Sequence, residues 1–135
     1  MTTGYSGKPL ASKMGIKPGQ RMIILHAPDD YDVTLGTLPD GVEVVHELNG
    51  IFDLIQYFVT ERAAYERDFP ILRDLLATAG MLWVSWPKKA AKMVTDIDEN
   101  FIREYGLANG LVDVKVIAVD ERWSGLKFVR RLKDR

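Results

Sequence analysis

Continuous apolar runs and helically spaced ones alternate along this chain. Residues 21–27 (RMIILHA), 52–60 (FDLIQYFVT) and 81–86 (MLWVSW) are rich in β-branched and aromatic side chains, the pattern of strands buried on both faces. Between the last two, the spacing turns helical. Residues 52–89 therefore read as two parallel strands joined by a crossover helix, and the rest of the chain is arranged around that unit.

Before this unit, residues 1–7 are small and polar and predict an arm. A short helix is expected over 8–14, with Pro9 in its first turn and Gly15 closing it. Ile16-Lys17-Pro18-Gly19 is turn chemistry that delivers the chain into the first central strand, 21–27, which Pro28-Asp29-Asp30 ends. A helical turn or two is expected over 31–38, then a Pro39-Asp40-Gly41 turn and a short strand over 42–46. Only residues 47–51 separate that strand from Phe52, whereas a parallel crossover needs about a dozen. Strand 42–46 is therefore expected to run antiparallel, the alternative being an extended return with no helix.

Thr60 is expected to cap a short helix over 61–67. Pro70 predicts a break near Asp68, which would cap a second helix with Phe69, Leu72, Leu75, Leu76 and Ala79 inward and Gly80 as a left-handed cap. A basic loop over 88–94 follows. Thr95 with Asp98, and Asp96 with Glu99, resemble capping boxes for a helix whose inward face is Phe101, Ile102, Tyr105 and Ala108, closed by Asn109-Gly110. Strands 112–120 and 126–132 then form a hairpin through 121–125. The expected fold is α/β: a single Rossmann-like three-layer domain over 15–135, with a mostly parallel sheet and a C-terminal antiparallel hairpin, preceded by the arm and helix of 1–14.

Composition narrows the chemistry. A chain of 135 residues can bury enough surface to fold without metal or disulfide. The absence of cysteine excludes disulfides, thiol nucleophiles and thiolate metal sites. His26 and His46 are the only histidines, too few for a histidine metal centre, and no metal is expected. A net charge of −1 provides no general field for nucleic acid or an anionic membrane. No apolar run approaches the ~20 residues of a membrane span, so a cytoplasmic location is expected.

In open α/β sheets ligands bind beyond the carboxyl ends of the strands. That edge would collect His26, Asp29 and Asp30, then Thr60, then Trp86, Lys88 and Lys89, then Asp120 and Trp123. Lys88, Lys89 and Lys92 could hold a phosphate or carboxylate with Trp86 as a stacking face; equally, they form a solvated loop over a packed tryptophan. His26, or Asp29 beside it, is the candidate for proton transfer, since imidazole titrates near neutral pH; a hydrogen-bonded structural histidine is the plainer reading. Asp120, Glu121, Arg122 and Trp123 form either a binding hairpin or a solvated turn anchored by its tryptophan. Gln56 needs buried partners if it faces inward, and Ser85 lacks the glycine-flanked elbow of a hydrolase nucleophile.

Several stretches are similar to class I S-adenosylmethionine-dependent methyltransferases. Residues 14–25 (MGIKPGQRMIIL) resemble the approach to that superfamily's first strand, 52–55 (FDLI) its fourth, 75–84 (LLATAGMLWV) its helix, glycine and fifth strand, and 108–114 (ANGLVDV) with the terminal hairpin its last helix and final two strands. Residues 4–10 (GYSGKPL), 83–89 (WVSWPKK) and Trp123-Ser124 more closely resemble a family of short bacterial proteins of uncharacterised function, which supplies a fold and no activity.

The departures from the methyltransferases fall in the cofactor half. Where that class has a glycine-rich turn after the first strand, this chain has His26-Ala27-Pro28-Asp29-Asp30. Glu47 sits near the place of the carboxylate that binds the ribose, and residues 47–51 leave no room for a third strand and its helices. The resemblance with its gaps implies a non-enzymatic binding or interaction domain on a methyltransferase-like scaffold, with no cofactor and with a small anionic ligand or a protein as partner. Three other readings stay open: a small enzyme acting on an anionic or nucleotide-like ligand, an S-adenosylmethionine-dependent methyltransferase, and a homo-oligomeric subunit.

Overall fold

The computed structural model describes residues 8–135, so the arm expected over 1–7 lies outside the described residues. Helix α1 (Leu10–Met14) leads to β1 (Arg21–Leu25), α2 (Tyr31–Leu35), β2 (Glu43–Val45) and β3 (Phe52–Phe58). Helix α3 (Arg62–Asp74) crosses to β4 (Leu76–Pro87), and α4 (Glu99–Ala108) precedes the hairpin β5 (Leu111–Ala118) and β6 (Trp123–Arg130). One six-stranded sheet runs β2-β1-β3-β4-β6-β5. Its first four strands are parallel, and β6 enters antiparallel between β4 and β5. The architecture is the expected α/β one. Among the described residues no helix is long and apolar enough to cross a membrane.

Strand alternation sends side chains to two apolar layers. Ile23, Ile55, Tyr57, Leu82, Val84, Leu126 and Phe128 pack under Tyr65, Phe69 and Leu72 of α3 and Ile102 of α4. On the other face, Met22, Leu54, Phe58 and Trp83 pack against Leu10 and Met14 of α1 and Tyr31 and Leu35 of α2. Each large side chain so buried contributes about 1.5–3 kcal/mol. The buried Trp83 indole donates to the Met14 carbonyl at 3.0 Å, which ties the short α1 to the sheet.

Strand β2 overturns the antiparallel expectation. It pairs parallel with β1, Arg21 opposite Glu43 and Ile23 opposite Val45, and the chain returns to β3 without a helix. A three-residue strand is only ~10 Å long, so six extended residues suffice to regain its starting edge. Arg21 holds that return. Its guanidinium donates to the carbonyls of Ile51 and Asn49 at 2.9 Å each and lies over the Phe52 ring at 4.3 Å. Gly50, at φ +75°, lets the backbone lie against the guanidinium, to which a β-carbon there would come within 3.2 Å.

Around the crossover, three further expectations are corrected. Helix α3 does not break at Asp68: it runs through Pro70. Proline removes the N–H that would bond the Glu66 carbonyl. The Tyr105 hydroxyl of α4 donates to that carbonyl instead, at 3.2 Å. Thr60 does not cap α3, whose Arg62 N–H donates to Asp96 Oδ1 at 2.8 Å; Thr60 offers its carbonyl to the Thr95 hydroxyl at 2.6 Å. Gly80 is not a helix cap either, because α3 ends at Asp74 with Leu75 as its C-cap and Gly80 lies within β4. Register there shifts from Phe52–Leu76 to Leu54–Met81, and a β-carbon on Gly80 would meet the Phe52 carbonyl at 3.0 Å. Asp98 is the N-cap of α4, its Oδ1 accepting from the Phe101 N–H at 2.9 Å, while Thr95 bonds Thr60.

Candidate functional site

The chain leaves β1 and turns to β2 on one side, and leaves β3 and turns to β4 on the other. The carboxyl ends of β1 and β3, adjacent and parallel, are therefore the point where the connections diverge. A crevice of about 260 Å³ opens there, lined by His26 just after β1, Tyr57 and Phe58 of β3, Val59, Thr60 and Glu61 after it, Ala64 of α3 and Trp123 from the hairpin. A second, of about 190 Å³, lies behind it towards α3, lined by Leu48, Arg67, Asp68 and Ile71. His26 and Tyr57 line both and form the wall between them.

Local chemistry fixes each wall. His26 sits at φ +59°, a left-handed conformation that is uncommon for residues other than glycine, although histidine is among those that tolerate it better. Its exposed imidazole is 5.8 Å from the Tyr57 ring. The Tyr57 hydroxyl donates to Asp68 Oδ2 at 2.6 Å, and Arg67 donates to both oxygens of the same carboxylate at 3.0 and 3.2 Å. Burial, and then the bond to Asp68, push the Tyr57 phenol well above its ordinary range, so it stays a protonated donor. At Asp68 burial acts to raise the pKa. The hydrogen bonds from Arg67 and Tyr57, with the charges of Arg67 and His26, outweigh it and hold the carboxyl below its usual value. Trp123 is fixed edge-on to Phe58, ring centres 5.1 Å apart, by a turn in which Asp120 Oδ1 accepts from the N–H groups of Arg122 and Trp123 at 2.7 and 2.9 Å.

The residues singled out from sequence divide among three places. His26, Thr60 and Trp123 share the switch-point crevice. Trp86, Lys88 and Lys89 line a different, open cleft of about 640 Å³. There the two lysines face Asp96, Asp98 and Glu99, so the lining has no net positive charge, and Trp86 is buried. Asp30, at φ +63°, and His46 line a third cleft of about 400 Å³ between β1, β2 and α2. Asp29 is exposed, and Asp120 is spent on its own turn. Gln56 does face inward: its Oε1 accepts from the Tyr31 hydroxyl at 2.6 Å. Ser85 is buried too. Among the described residues no cluster of three metal-ligating side chains occurs.

Tyr57 and Arg67 go unmarked in the sequence, and Asp68 is marked only as a helix cap. Tyr57 reads as one more aromatic in an apolar strand, and Arg67 as one more charge on a helix. Only the unbroken α3 brings Asp68 back over the end of β3.

The solved structures that the chain resembles include several methyltransferases. The chain aligns over 92% of its length with 84% of the protein in a DhpI–SAH complex, at a TM-score of 0.63 and 12% identity. A TehB-like SAM-dependent methyltransferase from Corynebacterium glutamicum matches at 0.59 and 11% identity, covering 95% of this chain and 90% of that one. Magnesium protoporphyrin IX methyltransferase from Synechocystis, with bound SAM, also matches at 0.59, with 12% identity over 90% of this chain and 74% of its own. The sheet and its helices thus form a methyltransferase-like Rossmann fold, and at these identities the likeness is one of fold alone. No family model and no curated protein matches the sequence.

Proposed function

We propose that this chain is a small-molecule-binding domain built on the methyltransferase-type sheet, and that it does not carry out methyl transfer. The observation that carries the reading is His26. It occupies the left-handed turn after β1, where the resembling class places glycine so that backbone approaches the cofactor, and its side chain lines the crevice beyond the ends of β1 and β3. What remains is a crevice of about 260 Å³ walled by three aromatic rings and an imidazole, below the ~300 Å³ at which drug-sized ligand sites begin. A flat heterocycle of nucleobase size fits such walls, stacked on a ring and hydrogen-bonded to Thr60 or His26.

Thermal-shift titration tests this directly. A ligand at a hundred times its Kd stabilises by about 2.7 kcal/mol and moves the midpoint by several degrees. Adenine, guanine, cytosine and uracil are the probes for the crevice, with S-adenosylmethionine and S-adenosylhomocysteine beside them. At least one base is expected to shift the wild type, and to lose that shift in His26→Ala. A shift with S-adenosylmethionine alone would restore methyl transfer and overturn the proposal.

The second reading is a small enzyme on a nucleotide-like substrate. It rests on His26 opening to both crevices with the Asp68 charge behind it. It expects conversion of a bound nucleoside or nucleotide, followed by NMR, to fall about a hundredfold in His26→Ala.

A further inference from the structure

Lysines from separate elements converge on the sheet face that α1 covers. Lys115 of β5 and Lys127 of β6 stand directly opposite each other in the ladder. The Lys115 ammonium reaches across to donate to the Lys13 carbonyl at 3.1 Å, and the Lys13 ammonium donates to the Ala118 carbonyl at the same distance. The Lys127 ammonium lies beside Gly15, 3.8 Å from where a β-carbon there would sit. Burial first, and then the neighbouring lysines, lower the pKa of Lys13 and Lys127: Lys115 and Lys88 act on Lys13, Lys115 and Lys17 on Lys127.

Like charges directly opposite across two strands destabilise a sheet. Among the described residues, no carboxylate lies within ion-pair distance of Lys17, Lys88, Lys115 or Lys127, although Arg21, Arg67, Arg73 and Arg103 are each paired with one. Residues 1–7 contain no aspartate or glutamate to supply the missing charge. Lys115 and Lys127 thus stand opposite each other on this face with no carboxylate within ion-pair distance of either.

We propose that this face binds a run of phosphate groups. Ammonium groups act as separate point charges suited to successive phosphates, whereas a carboxylate ligand calls for the planar fork of arginine. The shared chemistry is polyphosphate, presented either by a small molecule or by the backbone of single-stranded RNA. The site is separate from the switch-point crevice, and its test does not depend on that reading.

The experiment measures both sources on the whole chain at low salt: calorimetric titration with inorganic tripolyphosphate, and fluorescence anisotropy with a labelled single-stranded RNA. The wild type is expected to bind at least one of them. Binding of tripolyphosphate alone assigns the face to a small polyphosphate, and binding of RNA, with or without tripolyphosphate, to a nucleic-acid backbone. Lys115→Gln/Lys127→Gln is expected to weaken binding at least tenfold, to lower the RNA salt slope by about 1.4, and to leave the free protein's midpoint unchanged or raised, because a repulsive pair is gone. Lys17→Gln, at an exposed turn, provides a milder variant that should bind about threefold more weakly. Failure of both probes to bind the wild type, or binding by the double variant as tight as wild type, overturns the proposal.

Discussion

His26, Tyr57 and Asp68 show how single residues set the character of the crevice. The imidazole is placed by a left-handed backbone, whereas Tyr57 and Asp68 are locked to each other at 2.6 Å. Tyr57→Phe removes the donor while keeping the ring. It should cost about 1 kcal/mol at neutral pH, since Asp68 keeps its bonds to Arg67. Asp68 is held below its ordinary pKa, so its contribution is present above the unfolded value near ~3.9 and is lost as pH falls through the folded one. The difference between wild type and Tyr57→Phe should therefore shrink below about pH 4, which urea unfolding at neutral and acid pH measures. A cost that stays constant across that range would mean the phenol acts by packing alone.

At the scale of elements, α3 and α4 are fastened to each other through the fault that Pro70 makes. The carbonyl of Glu66 loses its helical partner and takes the Tyr105 hydroxyl, so a local defect becomes a contact between helices. A double-mutant cycle isolates it. Tyr105→Phe should cost about 1 kcal/mol in the wild type and clearly less in a Pro70→Ala background, where the restored N–H can bond the carbonyl itself. Equal costs in both backgrounds would show that the tyrosine contributes only its ring, which also packs on Tyr65 and Phe69 with centres 5.3 and 5.6 Å away. Gly106 belongs to the same contact: the Phe128 ring lies where its β-carbon would be, which explains a glycine inside a helix despite its low propensity.

For the whole molecule, stability should grade across the sheet. Strands β3 and β4 are flanked on both edges and covered by helices on both faces, whereas β2 has three residues, one neighbour and a return segment held by Arg21. Native-state hydrogen exchange is expected to find the slowest amides in β3 and β4, and those of β2 opening with a much smaller free energy. Protection in β2 equal to that in β4 would contradict this grading.

The apolar runs by themselves determined the strands, their parallel order about 52–89 and the terminal hairpin, because strands buried on both faces and two strands joined by a short link are written in local sequence. They also placed His26, Thr60 and Trp123 at one edge of the sheet, since strand ends follow from strand limits. Tertiary structure alone decided the direction of β2, where Arg21 does the work of a crossover helix, and the continuity of α3, where Tyr105 of α4 takes the carbonyl that Pro70 leaves without a partner. It separated Trp86, Lys88 and Lys89 from His26, and it brought Lys13, Lys115 and Lys127 together. Each of these depends on side chains distant in sequence meeting across the sheet, and no periodicity along the chain records such a meeting.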